Sequence, residues 1–199
     1  QKNGDNVISS GEFPYPPQTN DVHYEVEMIV ALKTGGADIS EADALQHVFG
    51  YGIGLDMTRR DLQGEMKKMG RPWEIGKAFE RSAPMGPLVS AGETGHLNSG
   101  AISLTVNGEE RQKGNLNQMI WKVPEQIAYL SRFYDIAAGD LIMSGMFVSS
   151  NLKACVIVFN GISFFDSVLL ISGFEQKNSN ISGTGLSVAE PSEPALTLK

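Results

Sequence analysis

The segment HYEVEMIVAL at residues 23–32 constrains the fold more than any other stretch of the chain. Its second half is continuously apolar, the pattern of a strand buried on both faces. Its first half carries Glu25 and Glu27 two residues apart. On an extended strand those side chains share a face, with Cα atoms about 7 Å apart. Two carboxylates on a face that runs into a buried strand cost free energy unless a proton or a cation joins them. A hard divalent cation such as Mg²⁺ suits their oxygens. The competing arrangement is an edge strand with both glutamates in solvent. His23 falls on the same face by period, either as a ligand, a supporting group or a base, or as an ordinary hydrogen-bonded histidine.

A second strand is predicted over VFGYGIGLDM, residues 48–57, whose glycines point to close approach by another backbone. Asp56 closes it. By spacing alone Asp56 reads first as a cap or first-turn acid of the following helix, and second as a further metal ligand. That helix is predicted over TRRDLQGEMKKM, residues 58–69, ending at Gly70-Arg71-Pro72. Arg60 and Gln63, three apart, share one of its faces and suit a substrate carboxylate, or simply face solvent. Lys77 follows Trp73 in a glycine-containing loop. Beside a metal and an apolar wall it would stabilise a negative oxygen; otherwise it is a surface lysine.

Elsewhere the pattern is β-rich. Residues 1–20 read as an extended, turn-rich lead-in, because Pro14, Pro16 and Pro17 fix φ and remove donors. Ser40 caps a predicted short helix reaching Val48. Asn107-Gly108 sets a hairpin between residues 102–106 and 109–112. A helix is predicted over 123–133, with Pro124 in its first turn and Ile127, Leu130 and Phe133 on one face. Residues 137–142 lead into another strand. The apolar stretch 154–172 contains Asp166, which argues against a membrane span. Two short buried strands around Asn160-Gly161 fit it better.

Charge is uneven: of the 39 charged residues, 16 basic and 23 acidic, only seven lie after Gly145. Residues 1–145 are therefore read as the catalytic core. Residues 146–199 are read as a divergent segment, expected to be disordered from about residue 179. The net charge of −7 excludes a nucleic-acid surface. The single cysteine, Cys155, cannot close an internal disulfide, and no signal peptide is visible, so an intracellular, cytoplasmic protein is expected.

Taken in order, these residues resemble the fumarylacetoacetate hydrolase family, most closely its bacterial-type, fumarylpyruvate-hydrolysing branch. The carriers are HYEVEMIVAL at 23–32, GYGIGLDMTRRDLQ at 50–63, GRPWEIGKAFERSAPMGP at 70–87 and VNGEERQKGNLNQMIWKVPEQIAYLSRFYDIAAGDLIMSG at 106–145. The resemblance runs over about residues 2–145.

By position it implies Mg²⁺ or Mn²⁺ on Glu25, Glu27 and Asp56, and it replaces the cap reading of Asp56. It implies a catalytic Lys77, and substrate contacts from Arg60, Gln63 and Ser144. The implied fold is mixed β with few helices (α+β), a rolled sheet resembling a β-sandwich, usually as a homodimer. The implied reaction is metal-dependent hydrolysis of a C–C bond in an acylpyruvate (a 2,4-dioxo acid) such as fumarylpyruvate, giving fumarate and pyruvate. Decarboxylation or keto–enol isomerisation of a 2-oxo acid on the same scaffold is the alternative, or a catalytically incomplete metal-binding or dimerisation module. Two departures stand out. The family's water-activating His-Glu lid lies upstream of the matched segment and is expected to be missing. After Gly145 the family's Thr-Pro-x-Gly turn is replaced by Met146-Phe147, leaving only the hydroxyl of Ser144.

Overall fold

The computed structural model describes residues 1–145 and the backbone of three later strands. The strands are β1 Val7–Ile8, β2 Gly11–Phe13, β3 Val22–His23, β4 Val26–Leu32, β5 Val48–Leu55, β6 Thr58–Arg59, β7 Ala83–Pro84, β8 Val89–Ser90, β9 Ala101–Val106, β10 Glu109–Asn115, β11 Leu141–Met143, β12 Val156–Phe159, β13 Val168–Ile171 and β14 Phe174–Glu175. The helices are short: α1 Glu41–Ala44, α2 Arg60–Lys68, α3 Glu74–Lys77, α4 Ala91–Thr94 and α5 Val123–Ser131. This is the expected mixed β fold with few helices.

The centre is an antiparallel sheet in the order β11-β4-β5-β8. All seven residues of β4 are buried, as its apolar run requires. Glycines let a neighbouring segment approach β5 closely. A Cβ at Gly50 would lie 2.0 Å from the Val89 carbonyl oxygen, and one at Gly54 would lie 3.0 Å from that of Pro84. Bare backbone at these positions lets residues 85–90 run antiparallel and close beside β5, where the Gly86 amide donates to the Ile53 carbonyl at 2.9 Å. Gly54 also pairs with Glu27 across β4 and β5. The hairpin β9–β10 turns on Asn107 and Gly108, both with positive φ, as a type I′ turn needs.

Several expectations are corrected. The strand expected over 23–32 is two strands, β3 and β4, with Tyr24 and Glu25 between them. Thr58 and Arg59 pair with β3 rather than opening the helix, which starts at Arg60. Lys77 ends α3 rather than lying in a loop. Helix α5 buries Ile127, but Phe133 lies beyond its end and is exposed. Strands β12 and β13 do occur within 154–172, yet they join different sheets, β12 beside β2 and β13 parallel to β9. Asn160-Gly161, Cys155, Met146 and the tail from residue 179 lie outside the described residues. Among the described residues no helix is long and apolar enough to cross a membrane.

Candidate metal centre

The break between β3 and β4 is held open by a side chain. A register shift between Glu110 and Gln112 interrupts the β9–β10 ladder. After three exposed residues it turns Gln112 inward, where it is 2% exposed. The Gln112 Oε1 accepts from the Val26 amide at 2.9 Å, and its Nε2 donates to the Tyr24 carbonyl at 3.1 Å. The amide group thus binds backbone on both sides of Glu25.

Glu25, Glu27 and Asp56 converge, each offering an oxygen within 4.8 Å of the others. Glu27 comes from inside β4, Glu25 from the break before it, and Asp56 from the turn after β5. The turn is pinned by the Asp56 amide, which donates to the Glu25 carbonyl at 2.8 Å. Asp56 is not a helix cap, since the cap position of α2 is Arg59.

Three cations face this triad. Lys77 Nζ lies 2.8 Å from Glu25 Oε2 and 2.6 Å from Asp56 Oδ2, and donates to Thr58 Oγ1 at 2.8 Å. Arg60 Nη2 donates to Glu25 Oε1, while its Nη1 donates to Gln63 Oε1 at 2.6 Å. Lys2 Nζ lies 3.0 Å from Asp56 Oδ1. Glu27 differs: it is buried, and among the described residues no cation lies within ion-pair distance of it. Its Oε2 accepts from the Gly145 amide at 3.0 Å.

The proton affinities follow. Burial, then the charge of Asp56, pushes the Glu27 carboxyl up to about 8. Burial also pushes Glu25 up, but the hydrogen bonds and charges of Lys77 and Arg60 outweigh it and hold Glu25 below its ordinary value. Burial pulls Lys77 down, and the Asp56 and Glu25 carboxylates more than compensate, so its ammonium is held charged.

The remaining predicted residues are near but differently engaged. Ser144 follows β11, and its amide donates to the Met28 carbonyl at 3.0 Å, one residue before the Gly145 amide that binds Glu27. Its placement is made through the backbone. His23 is buried in β3 with Nε2 3.2 Å from Asp21 Oδ1; burial, then the Arg60 charge, lowers its proton affinity. It pairs with Asp21 rather than with the triad.

Sequence reasoning missed Lys2 and Gln112. Lys2 stands in an unpatterned lead-in. Gln112 stands in a run of polar strand residues that carries no sign of the bulge. A signal was available for Gln112, since it is the lone neutral long side chain within Glu109–Lys113.

The family model for the fumarylacetoacetate hydrolase C-terminal domain matches residues 1–160. A fumarylpyruvate hydrolase of Ralstonia is 42% identical over 139 residues, covering 70% of this chain and 72% of that protein. The oxaloacetate tautomerase YcgM of Escherichia coli K12 is also 42% identical, over 131 residues, covering 65% of this chain and 60% of that protein. The crystal structure of a Pseudomonas aeruginosa fumarylpyruvate hydrolase with Mn²⁺ and pyruvate superposes with a TM-score of 0.74 at 48% identity, covering 78% of this chain and 70% of that one. The chain thus spans 60% of one relative's length and 72% of the other's. A family match over most of the chain, with the 42% identity to the Ralstonia protein and the superposition on the Pseudomonas structure, decides the classification: the chain belongs to the fumarylacetoacetate hydrolase family.

Proposed function

We propose that this protein binds Mg²⁺ or Mn²⁺ at Glu25, Glu27 and Asp56 and hydrolyses the C–C bond of an acylpyruvate such as fumarylpyruvate, releasing fumarate and pyruvate. The observation that carries the reading is Glu27: a carboxylate 3% exposed, beside two other carboxylates, with no cation of its own among the described residues. A hard divalent ion on three carboxylate oxygens relieves that arrangement, and the donor set fits one. When bound, the ion supplies Lewis acidity and a template for the 2-oxo acid end of the substrate.

The chain's own groups supply the rest. Lys77 carries a fixed positive charge at the edge of the triad, placed to stabilise the oxygen on which negative charge develops as the C–C bond breaks. Arg60, held by Gln63 and Glu25, keeps one further N–H on each terminal nitrogen for a substrate carboxylate, and the Gln63 amide nitrogen adds a donor beside it. Ser144, one residue from the amide that holds Glu27, is assigned to the substrate as part of the same reading. The aromatic run Trp121, Tyr129 and Phe133, exposed with ring centroids 4.6 and 5.1 Å apart, supports a homodimer as part of the reading. A cytoplasmic setting is part of the same reading.

A second reading is keto–enol isomerisation or decarboxylation of oxaloacetate. It is favoured by the E. coli tautomerase, as similar to this chain as the hydrolase is. A catalytically incomplete metal-binding module is the third. Product analysis by NMR on fumarylpyruvate and oxaloacetate, each with Mg²⁺ or Mn²⁺, separates them. Fumarate and pyruvate from fumarylpyruvate support the hydrolase. Faster enol–keto exchange or loss of CO₂ from oxaloacetate alone replaces it with the second reading. No turnover of either substrate with Mn²⁺ bound leaves the third.

A further inference from the structure

We propose that Lys2 is a positioning residue for Lys77; the proposal rests on the reading of Lys77 as the group that stabilises developing charge. The two lysines are 75 residues apart in sequence and meet through one ammonium group. Lys2 Nζ lies 3.0 Å from Asp56 Oδ1, donates to Ser82 Oγ at 2.9 Å and to the Lys77 carbonyl, and reaches the Met57 carbonyl at 3.4 Å. Ser82, fully buried, accepts from the Lys2 ammonium and from the Phe79 amide at 3.3 Å, and its hydroxyl donates to the Lys77 carbonyl at 3.1 Å. The Lys77 carbonyl is therefore gripped from two sides.

The grip acts on the backbone of Lys77, whose ammonium is held by Glu25, Asp56 and Thr58 but whose helix is short. Helix α3 is one turn long and its cap position, Trp73, makes no side-chain cap bond. The backbone then swings through Arg81, a non-glycine residue with φ of 57°. Lys2 replaces what a longer helix would provide. The lead-in delivers it by pairing β1 in parallel with β7, immediately after Ser82. Phe79 walls the pocket: Lys2 Nζ is 5.6 Å from its ring centre and the Arg59 guanidinium 4.4 Å. The same ammonium occupies Asp56 Oδ1, which leaves Oδ2 as the oxygen turned to Lys77.

The test uses Lys2→Met and Lys2→Ala in the full chain, with ¹⁵N-lysine labelling. The Lys77 ammonium signal is assigned by its loss in Lys77→Arg. In Lys2→Met that signal is expected to shift or broaden while Mn²⁺ binding by calorimetry stays within about tenfold of wild type. Adding n-propylammonium to Lys2→Ala is expected to restore the signal, and tetramethylammonium is not, because only a primary ammonium reproduces three donors. With fumarylpyruvate at saturating Mn²⁺, kcat is expected to fall about 100-fold, the scale of a 1 Å misplacement, with KM within about threefold. An unmoved Lys77 signal, or loss of Mn²⁺ binding without rescue by n-propylammonium, overturns the proposal. If the wild-type protein turns over neither fumarylpyruvate nor oxaloacetate, the functional reading fails, and the Lys77 signal alone decides the positioning role.

Discussion

Lys77 Nζ sits 2.6 Å from Asp56 Oδ2, on an oxygen that a metal ion would share. On the proposed reading the ammonium and the ion would compete for the same carboxylates, Asp56 and Glu25. Lys77→Met is therefore expected to bind Mn²⁺ more tightly than wild type while losing about 100- to 1,000-fold in turnover, the range for removing one charge-stabilising donor. Calorimetry and steady-state kinetics on the same preparation read both. Weaker Mn²⁺ binding would mean that Lys77 orders the carboxylates rather than competing for them.

Glu27 gives the site a pH signature. Its folded proton affinity stands at about 8, against an unfolded value of 4.5. Between those values the metal-free folded protein holds a proton that the unfolded chain releases. The stabilisation is complete below pH 4.5 and is lost as pH rises through about 8. The Tm of metal-free protein is thus expected to fall from pH 5 to pH 8 by an amount that Glu27→Gln abolishes. Mn²⁺ binding at pH 7 is expected to release a proton, read from the dependence of binding enthalpy on the buffer's ionisation enthalpy. No proton release in the wild type would contradict a protonated Glu27.

Gln112→Leu tests the device that sets Glu25 apart. The substitution leaves the buried Val26 amide and Tyr24 carbonyl without the bonds the glutamine gives them. A cost of about 2–4 kcal/mol in urea unfolding is expected for two such groups. Mn²⁺ affinity is expected to fall as well, because Glu25 is the residue between the two anchors. Unchanged affinity in a destabilised protein would separate the fold role of Gln112 from the site.

How far the sequence reaches can be judged residue by residue. The buried strand β4, the close backbone approach at the β5 glycines, the Asn107-Gly108 turn and the Ser40 cap, which accepts from the Asp43 amide at 3.2 Å, are local patterns and were legible. Asp56 was not legible by spacing, since an acid before a helix has a commoner use as a cap; the family resemblance supplied its place. The kink at Tyr24–Glu25 was invisible because its cause is Gln112, a contact between residues 86 and 88 apart in sequence. Lys2 was invisible for the same reason. Long-range polar contacts leave no period in either partner.

Two glycine substitutions close the comparison between what packing and propensity each decide. Gly50→Ala would put a methyl 2.0 Å from the Val89 carbonyl oxygen and 2.8 Å from its carbon, both backbone atoms that cannot turn aside. The β5–β8 pairing at Gly50↔Ser90 must open to admit it. A loss of about 3 kcal/mol or more is expected, at the upper end for overpacking. Gly64 lies inside α2 with nothing within 4 Å of a Cβ. There Gly64→Ala relieves the entropic cost of a helical glycine and is expected to stabilise by about 0.5–1 kcal/mol. Parallel urea titrations read both variants. If Gly50→Ala proved as stable as wild type, the close antiparallel approach of Val89 and Ser90 to β5 would be wrong.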